Sequence, residues 1–180
     1  TKPYAIEAGR FGNVTLTARW EAVAHEITYD LKGGAWTDPD EVPTSYATSD
    51  TADTVLPAPV RKGYEFTGWT GGSVGTVPQT EARIPAGSVG AMAFTANWRP
   101  ITYAIAWDLN GGDAGAWTLD GVDQTGPLPV TYTAEQTIQV APPHRSSSSF
   151  LGWGGTLPAI GAGPDLVTGD LTIPAGTTGG

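Results

Sequence analysis

The chain has 180 residues, enough for one medium domain or two or three small ones. Its 18 acidic against 9 basic side chains give a net charge of -9. This argues against nucleic acid and anionic membrane surfaces as partners, because both call for a basic face.

The absence of cysteine excludes disulfides and Cys-based zinc sites. No apolar run approaches the roughly 20 residues needed to span a bilayer, so no membrane insertion is expected within this segment. The chain opens on Thr1 with no apolar leader, as expected for a segment of something larger. With 25 Gly, 15 Pro and a single Met, helix formers are scarce and turn residues dense. Thr, Val, Tyr and Trp favour strands, so a mainly β protein is expected, with at most a short helix per repeat.

In chain order, VTLTARW (Val14–Trp20) reads first, as a lone strand. EITYDL (Glu26–Leu31) alternates apolar and polar residues and ends in Gly33-Gly34, a strand running into a turn. The acidic stretch Asp38, Asp40, Glu41 follows. Thr48–Val55, rich in Asp and Thr, reads equally as a short helix or a loop. YEFTGW (Tyr64–Trp69) is a strand whose alternation places Tyr64 and Phe66 on one face and Trp69 on the other. MAFTANW (Met92–Trp98) is a strand with Met92, Phe94, Ala96 and Trp98 on one face.

These elements recur. Asp30, Leu31, Gly33 and Gly34 return as Asp108, Leu109, Gly111 and Gly112. RKGYEFTGW (Arg61–Trp69) returns as RSSSSFLGW (Arg145–Trp153), and IPAGSVG (Ile84–Gly90) as IPAGTTG (Ile173–Gly179). Ile6–Trp20 aligns without a gap to Ile84–Trp98, so that Trp20 matches Trp98. The expected organisation is a closing strand of an upstream repeat (1–22), a complete repeat (23–100) and a repeat lacking its closing strand (101–180). Little linker separates the copies, so neighbouring repeats should stack as an elongated array.

Together the motifs resemble the Listeria–Bacteroides repeat family, the B-repeats of internalin-type surface proteins. The carrying residues are Tyr29, Leu31, Gly33 and Gly34, then Leu56, Pro57, Pro59, Arg61, Gly63, Tyr64, Phe66, Gly68 and Trp69. Ile84, Gly87, Phe94, Ala96 and Trp98 close the pattern. The later copy departs from it, with Ser147 and Ser148 in place of Gly-Tyr. The resemblance implies small β-grasp-like units arrayed on adhesins or cell-wall proteins, an extracellular location and no catalytic residues.

Recurrence of Phe66 and Trp69 as Phe150 and Trp153 favours a core that each unit builds for itself, with a ligand platform as the alternative. Trp20, Trp69, Trp98 and Trp153 are expected to be buried. Trp36 and Trp117 are expected to be more exposed, and with Tyr46 they are the candidate ligand-facing aromatics, suited to stacking on sugars.

His25 and His144 lie in different repeats, away from any nucleophile, so no enzyme is expected. The acidic loop lacks EF-hand spacing, and no metal or cofactor is expected. Two readings stand: a structural stalk or spacer in an adhesin, or a module that binds a host glycan or protein. A further expectation concerns Val14, Leu16, Ala18 and Trp20. As a closing strand without its own repeat, they should complete the later repeat of a second molecule, head to tail. In a longer array that join would be covalent continuation.

Overall fold

The computed structural model describes residues 8–9, 11–155 and 166–179. Strands dominate, and no α-helix occurs among the described residues. The first unit is built on β1 (Ala24–Asp30), β2 (Ser45–Ala47), β3 (Thr54–Val55), β4 (Tyr64–Gly71), β5 (Gly75–Gln79), β6 (Arg83–Ile84) and β7 (Met92–Pro100). Thr48–Asp53 forms turns leading into β3, which decides between the two readings of that stretch. The one helical turn among the described residues is a 3-10 turn, Pro39–Glu41, capped by the Asp38 side chain accepting from the Asp40 N–H. Capping satisfies an otherwise orphaned donor.

Five strands form the main sheet in the order β2-β1-β7-β4-β5. The first half of β1 pairs antiparallel with β2, and its second half, Ile27–Asp30, pairs parallel with Met92–Thr95 of β7. On its other side β7 pairs antiparallel with the whole of β4. The closing strand is therefore the central strand of its sheet. Strands β3 and β6 pair separately.

The alternation expected along β4 is broken. A β-bulge between Phe66 and Gly68 adds a residue and shifts the phase of the pleat. Phe66 and Trp69 consequently share the core face, with ring centroids 5.4 Å apart. Trp69 is fully buried. Around it gather Tyr29, Trp36, Ile27, Leu56, Ile84, Phe94 and Ala96. Its indole N–H donates to the Pro57 carbonyl.

The second unit comprises β8 (Thr102–Ala104), β9 (Trp117–Leu119), β10 (Val122–Gln124), β11 (Thr131–Thr133), β12 (Ile138–Val140) and β13 (Leu171–Ile173). Its pairings follow those of the first unit. Tyr103 faces Tyr132 as His25 faces Tyr46, and Ile138 faces Ile173 as Thr54 faces Ile84. The core pairs recur as well. Phe150 and Trp153 stand 5.3 Å apart, and Trp107 takes the place of Tyr29 against Trp153. Both of those residues donate to a proline carbonyl, Tyr29 to Pro43 and Trp107 to Pro129. The hairpin β9–β10 has no counterpart in the first unit and adds itself to β12.

One residue, Ile101, separates β7 from β8, and its N–H donates to the Gly63 carbonyl. Gly63 lies against Ala134 and Thr178 so closely that a Cβ there would stand 2.7 Å from the Ala134 Cβ. Tyr64 adds a hydrogen bond from its hydroxyl to Glu135. These contacts join the two units through side chains as well as through the chain.

Burial pushes the Tyr29 hydroxyl up to about 12 and the Tyr132 hydroxyl upward, with Tyr103 adding to the latter. An unfolded tyrosine ionises near pH ~10. A raised folded value means that this stability is complete below the unfolded pKa and is lost as pH rises through the folded one. Denaturant midpoints are therefore expected to be insensitive to these groups up to about pH 10 and to fall between about 10 and 12. A midpoint that stays level across that window would refute the assignment.

Candidate functional site

The feature that departs most from a finished fold lies in the second unit. In the first unit β7 is held between Ile27–Asp30 and Tyr64–Gly71. By the repeat alignment the corresponding stretches are 105–108 and 148–155, and neither forms a strand. The N–H groups of 106–109 and 149–152 make no backbone hydrogen bond to another described residue. No counterpart of β7 is present among the described residues, and the two flanks enclose a groove of about 290 Å³. Leu109, Gly112, Arg145, Phe150 and Trp153 are among the residues that line it.

The first unit shows what such a groove accommodates. The indole of Trp98 donates from Nε1 to the Leu31 carbonyl at 2.9 Å and packs edge-on against Phe66. It passes so near Gly34 that a Cβ there would sit 2.5 Å from the indole carbon Cζ2 and 3.1 Å from the Leu31 and Val60 carbonyl oxygens. In the second unit the same cradle is present without the indole. A Cβ on Gly112 would stand 3.1 Å from the Leu109 oxygen and 3.2 Å from the His144 oxygen, and the next nearest atom is the Arg145 Cβ at 3.8 Å. Leu109, Phe150 and Gly112 thus repeat the three contacts that seat Trp98. Nearby, the buried indole N–H of Trp153 has no partner among the described residues, whereas that of Trp69 has one.

The aromatics proposed to face a ligand are placed otherwise. Tyr46 is buried, with its hydroxyl donating to the Gly90 carbonyl and its ring beside His25. Trp36 is half-buried against Tyr29 and Trp69, and Trp117 half-buried in the second core, where β9 pairs with β12. The expectation that they are more exposed than the core tryptophans holds only relative to Trp69 and Trp153, and Tyr46 is removed from the surface altogether. Each sits where its strand or turn folds over a core, so packing consumes the ring.

The expectation for Trp20 is reversed: it is 93% exposed, and Val14 and Leu16 are exposed with it. Ala18 is exposed too, and Val14–Trp20 forms no strand. The alignment with Trp98 reads Val14–Trp20 as a strand, but burial needs flanking strands, and among the described residues those accompany Trp98 only. Trp98 itself, near the end of β7, is half-buried rather than buried.

His25 accepts or donates a hydrogen bond with the Thr48 hydroxyl, and His144 lies 3.8 Å from an Asp113 carboxylate oxygen. Asp38 serves as a cap. Among the described residues no three His, Cys, Asp or Glu side chains gather into a metal-holding group.

Comparison with known families bears on the first unit directly. Residues 25–90 match the Listeria-Bacteroides repeat domain. This segment is a Listeria-Bacteroides repeat. The matched span of the repeat ends just before β7, the strand at the centre of its sheet.

The chain is 28% identical over 143 residues to a protein of Evansella cellulosilytica named "Putative membrane protein", covering 78% of this chain and 18% of that protein. It is 29% identical over 167 residues to a "Putative Gly-rich membrane protein" of the same organism, covering 90% of this chain and 17% of that protein. The chain thus spans less than a fifth of the length of the curated relatives it matches. No solved structure matches it. Among the described residues no helix is long and apolar enough to cross a membrane.

Proposed function

We propose that the chain is a structural segment of a bacterial surface protein, an extracellular stalk or spacer whose small β units hold other parts of the protein away from the cell wall. The observation that carries this reading is how the aromatics are used. The tyrosines and tryptophans that looked available for a ligand pack against the two cores, and the same ring pairs recur in both units. A unit that devotes its rings to its own core is suited to repetition rather than to recognition. The repeat family and the relatives named as membrane proteins support a surface location. The net charge of -9 favours a segment that stays soluble and repels its like. The close packing of Gly63 on Ala134 and Thr178 supports a fixed arrangement of neighbouring units.

Small-angle scattering tests the spacer reading. The expected result is one dominant, elongated shape, and a broad spread of inter-unit angles would contradict it. A glycan array provides the second arm. Binding by the native chain that is lost in folded Trp36→Ala and Trp117→Ala variants would replace the spacer reading with an adhesion module for host glycans.

A further inference from the structure

We propose that the turn Arg61–Tyr64 of the first unit is a keyed docking surface for the second unit, and that Gly63 is the residue that sets the fit. The proposal deepens the spacer reading and rests on it, since a fixed joint serves a segment that holds its units in line.

The simplest account of Gly63 is its own backbone. It adopts φ 80°, a left-handed value that favours glycine. The second unit shows that the turn does not require one. There Ser147 takes the matching position at φ 58°. The Ser148 N–H donates to the Arg145 carbonyl as the Tyr64 N–H donates to that of Arg61, so both turns close in the same way. A serine therefore serves in this turn. What sets Gly63 apart is its neighbour. A Cβ there would lie 2.7 Å from the Ala134 Cβ and 3.1 Å from the Thr178 Cγ2.

The second unit presents a firm socket to that glycine. The Ala134 carbonyl accepts from the Gly176 N–H at 2.7 Å, which ties the turn at 133–136 to the one at 174–177. Ala134 is 8% exposed, although it is not among the residues of the second core. The matching positions of the first unit, Thr48 and Val89, are both exposed. Ala134 thus owes its burial to the neighbouring unit.

Polar contacts fix the orientation. The Gly63 carbonyl accepts from the Ile101 N–H at 2.9 Å. The Tyr64 hydroxyl donates to Glu135, and the Arg61 guanidinium lies 3.6 Å from the centre of the Tyr64 ring and braces it. Neither half of the fit recurs in the other unit. The second unit carries Ser147 and Ser148 in place of Gly63 and Tyr64, and the first carries Thr48 and Ser49 in place of Ala134 and Glu135. The two surfaces match in this order of units only, because the added atoms of the alternatives would oppose docking.

The test uses the whole chain with two spin labels. The chain has no cysteine, so Thr76→Cys in the first unit and Asp123→Cys in the second, both exposed, provide unique attachment points. Double electron–electron resonance should give one narrow distance. Gly63→Ser, which installs the residue that the second unit uses, overpacks the joint and should broaden that distance. Adding Ala134→Gly removes the opposing methyl group and should restore it. A change at residue 134 cannot relieve backbone strain at residue 63, so the rescue separates the contact from the turn. The proposal is overturned if Gly63→Ser stays as narrow as the native chain, or if Ala134→Gly fails to restore the narrow distance. Should Gly63→Ser not fold, Ala134→Leu enlarges the socket side with the Arg61–Tyr64 turn unaltered. It should broaden the distance too, and an unchanged distance there overturns the proposal. In each of these failures a narrow native distance leaves the spacer reading standing, whereas a native distance that is already broad overturns both.

Discussion

Trp69→Ala is expected to unfold the first unit at temperatures where the native chain is folded. Trp69 is fully buried and stands within 6 Å, centroid to centroid, of Tyr29, Trp36 and Phe66. Truncating such a residue removes its transfer free energy and leaves a cavity, together costing about 3–5 kcal/mol. It also leaves the Pro57 carbonyl without the indole donor. Whole domains are stable by only about 5–15 kcal/mol, and a unit this small lies towards the lower end. The loss is therefore most of what is available. Trp153→Ala should cost less, because Trp153 borders an open groove and its indole N–H makes no bond to a described residue. Denaturant titrations of the two variants should show the larger shift for Trp69→Ala, and equal shifts would count against the packing described.

The second large effect is a contrast between two glycines. Gly34→Ala would drive a methyl group to 2.5 Å from the Trp98 ring, between the carbonyls of Leu31 and Val60. Indole and backbone are both fixed by hydrogen bonding, so something in the centre of the sheet must move. Overpacking of this kind costs about 1–3 kcal/mol. Gly112→Ala meets the same two carbonyl positions but no indole. It should therefore be the milder substitution in the free chain. Thermal melts of both variants check the pair. A Gly112→Ala chain that melts as low as Gly34→Ala would show that the two sites differ from this description.

Much of the architecture was legible in the sequence because it is written more than once. The alternation in MAFTANW gave the strand and its buried face, and Phe94 and Ala96 lie where that pattern places them. The recurring Phe-Trp pairs were read as core, and Trp69 and Trp153 are buried. Strict alternation failed at Phe66 and Trp69, since a bulge is a backbone event that a period of two does not register.

Tyr46 was misread as a surface ring. Its strand is three residues long, too short to show a pattern, and its burial depends on His25 and on the loop ending at Gly90. Trp117 follows the recurring Gly-Gly turn as Trp36 does, but it lies on a hairpin peculiar to the second unit, which that likeness did not reveal. The groove itself could be inferred only as a missing strand. Its shape depends on Leu109, Gly112 and Phe150, which lie far apart in sequence and meet only in the fold.

Hydrogen exchange resolved by residue would test most directly the claim that β7 is the central strand of the first unit's sheet. In dilute solution the amides of Ile27–Asp30 and Tyr64–Gly71 should exchange slowly, as members of a paired ladder. Those of Val14–Trp20, which is exposed and forms no strand, should exchange rapidly. Equal protection of the two sets would contradict the account.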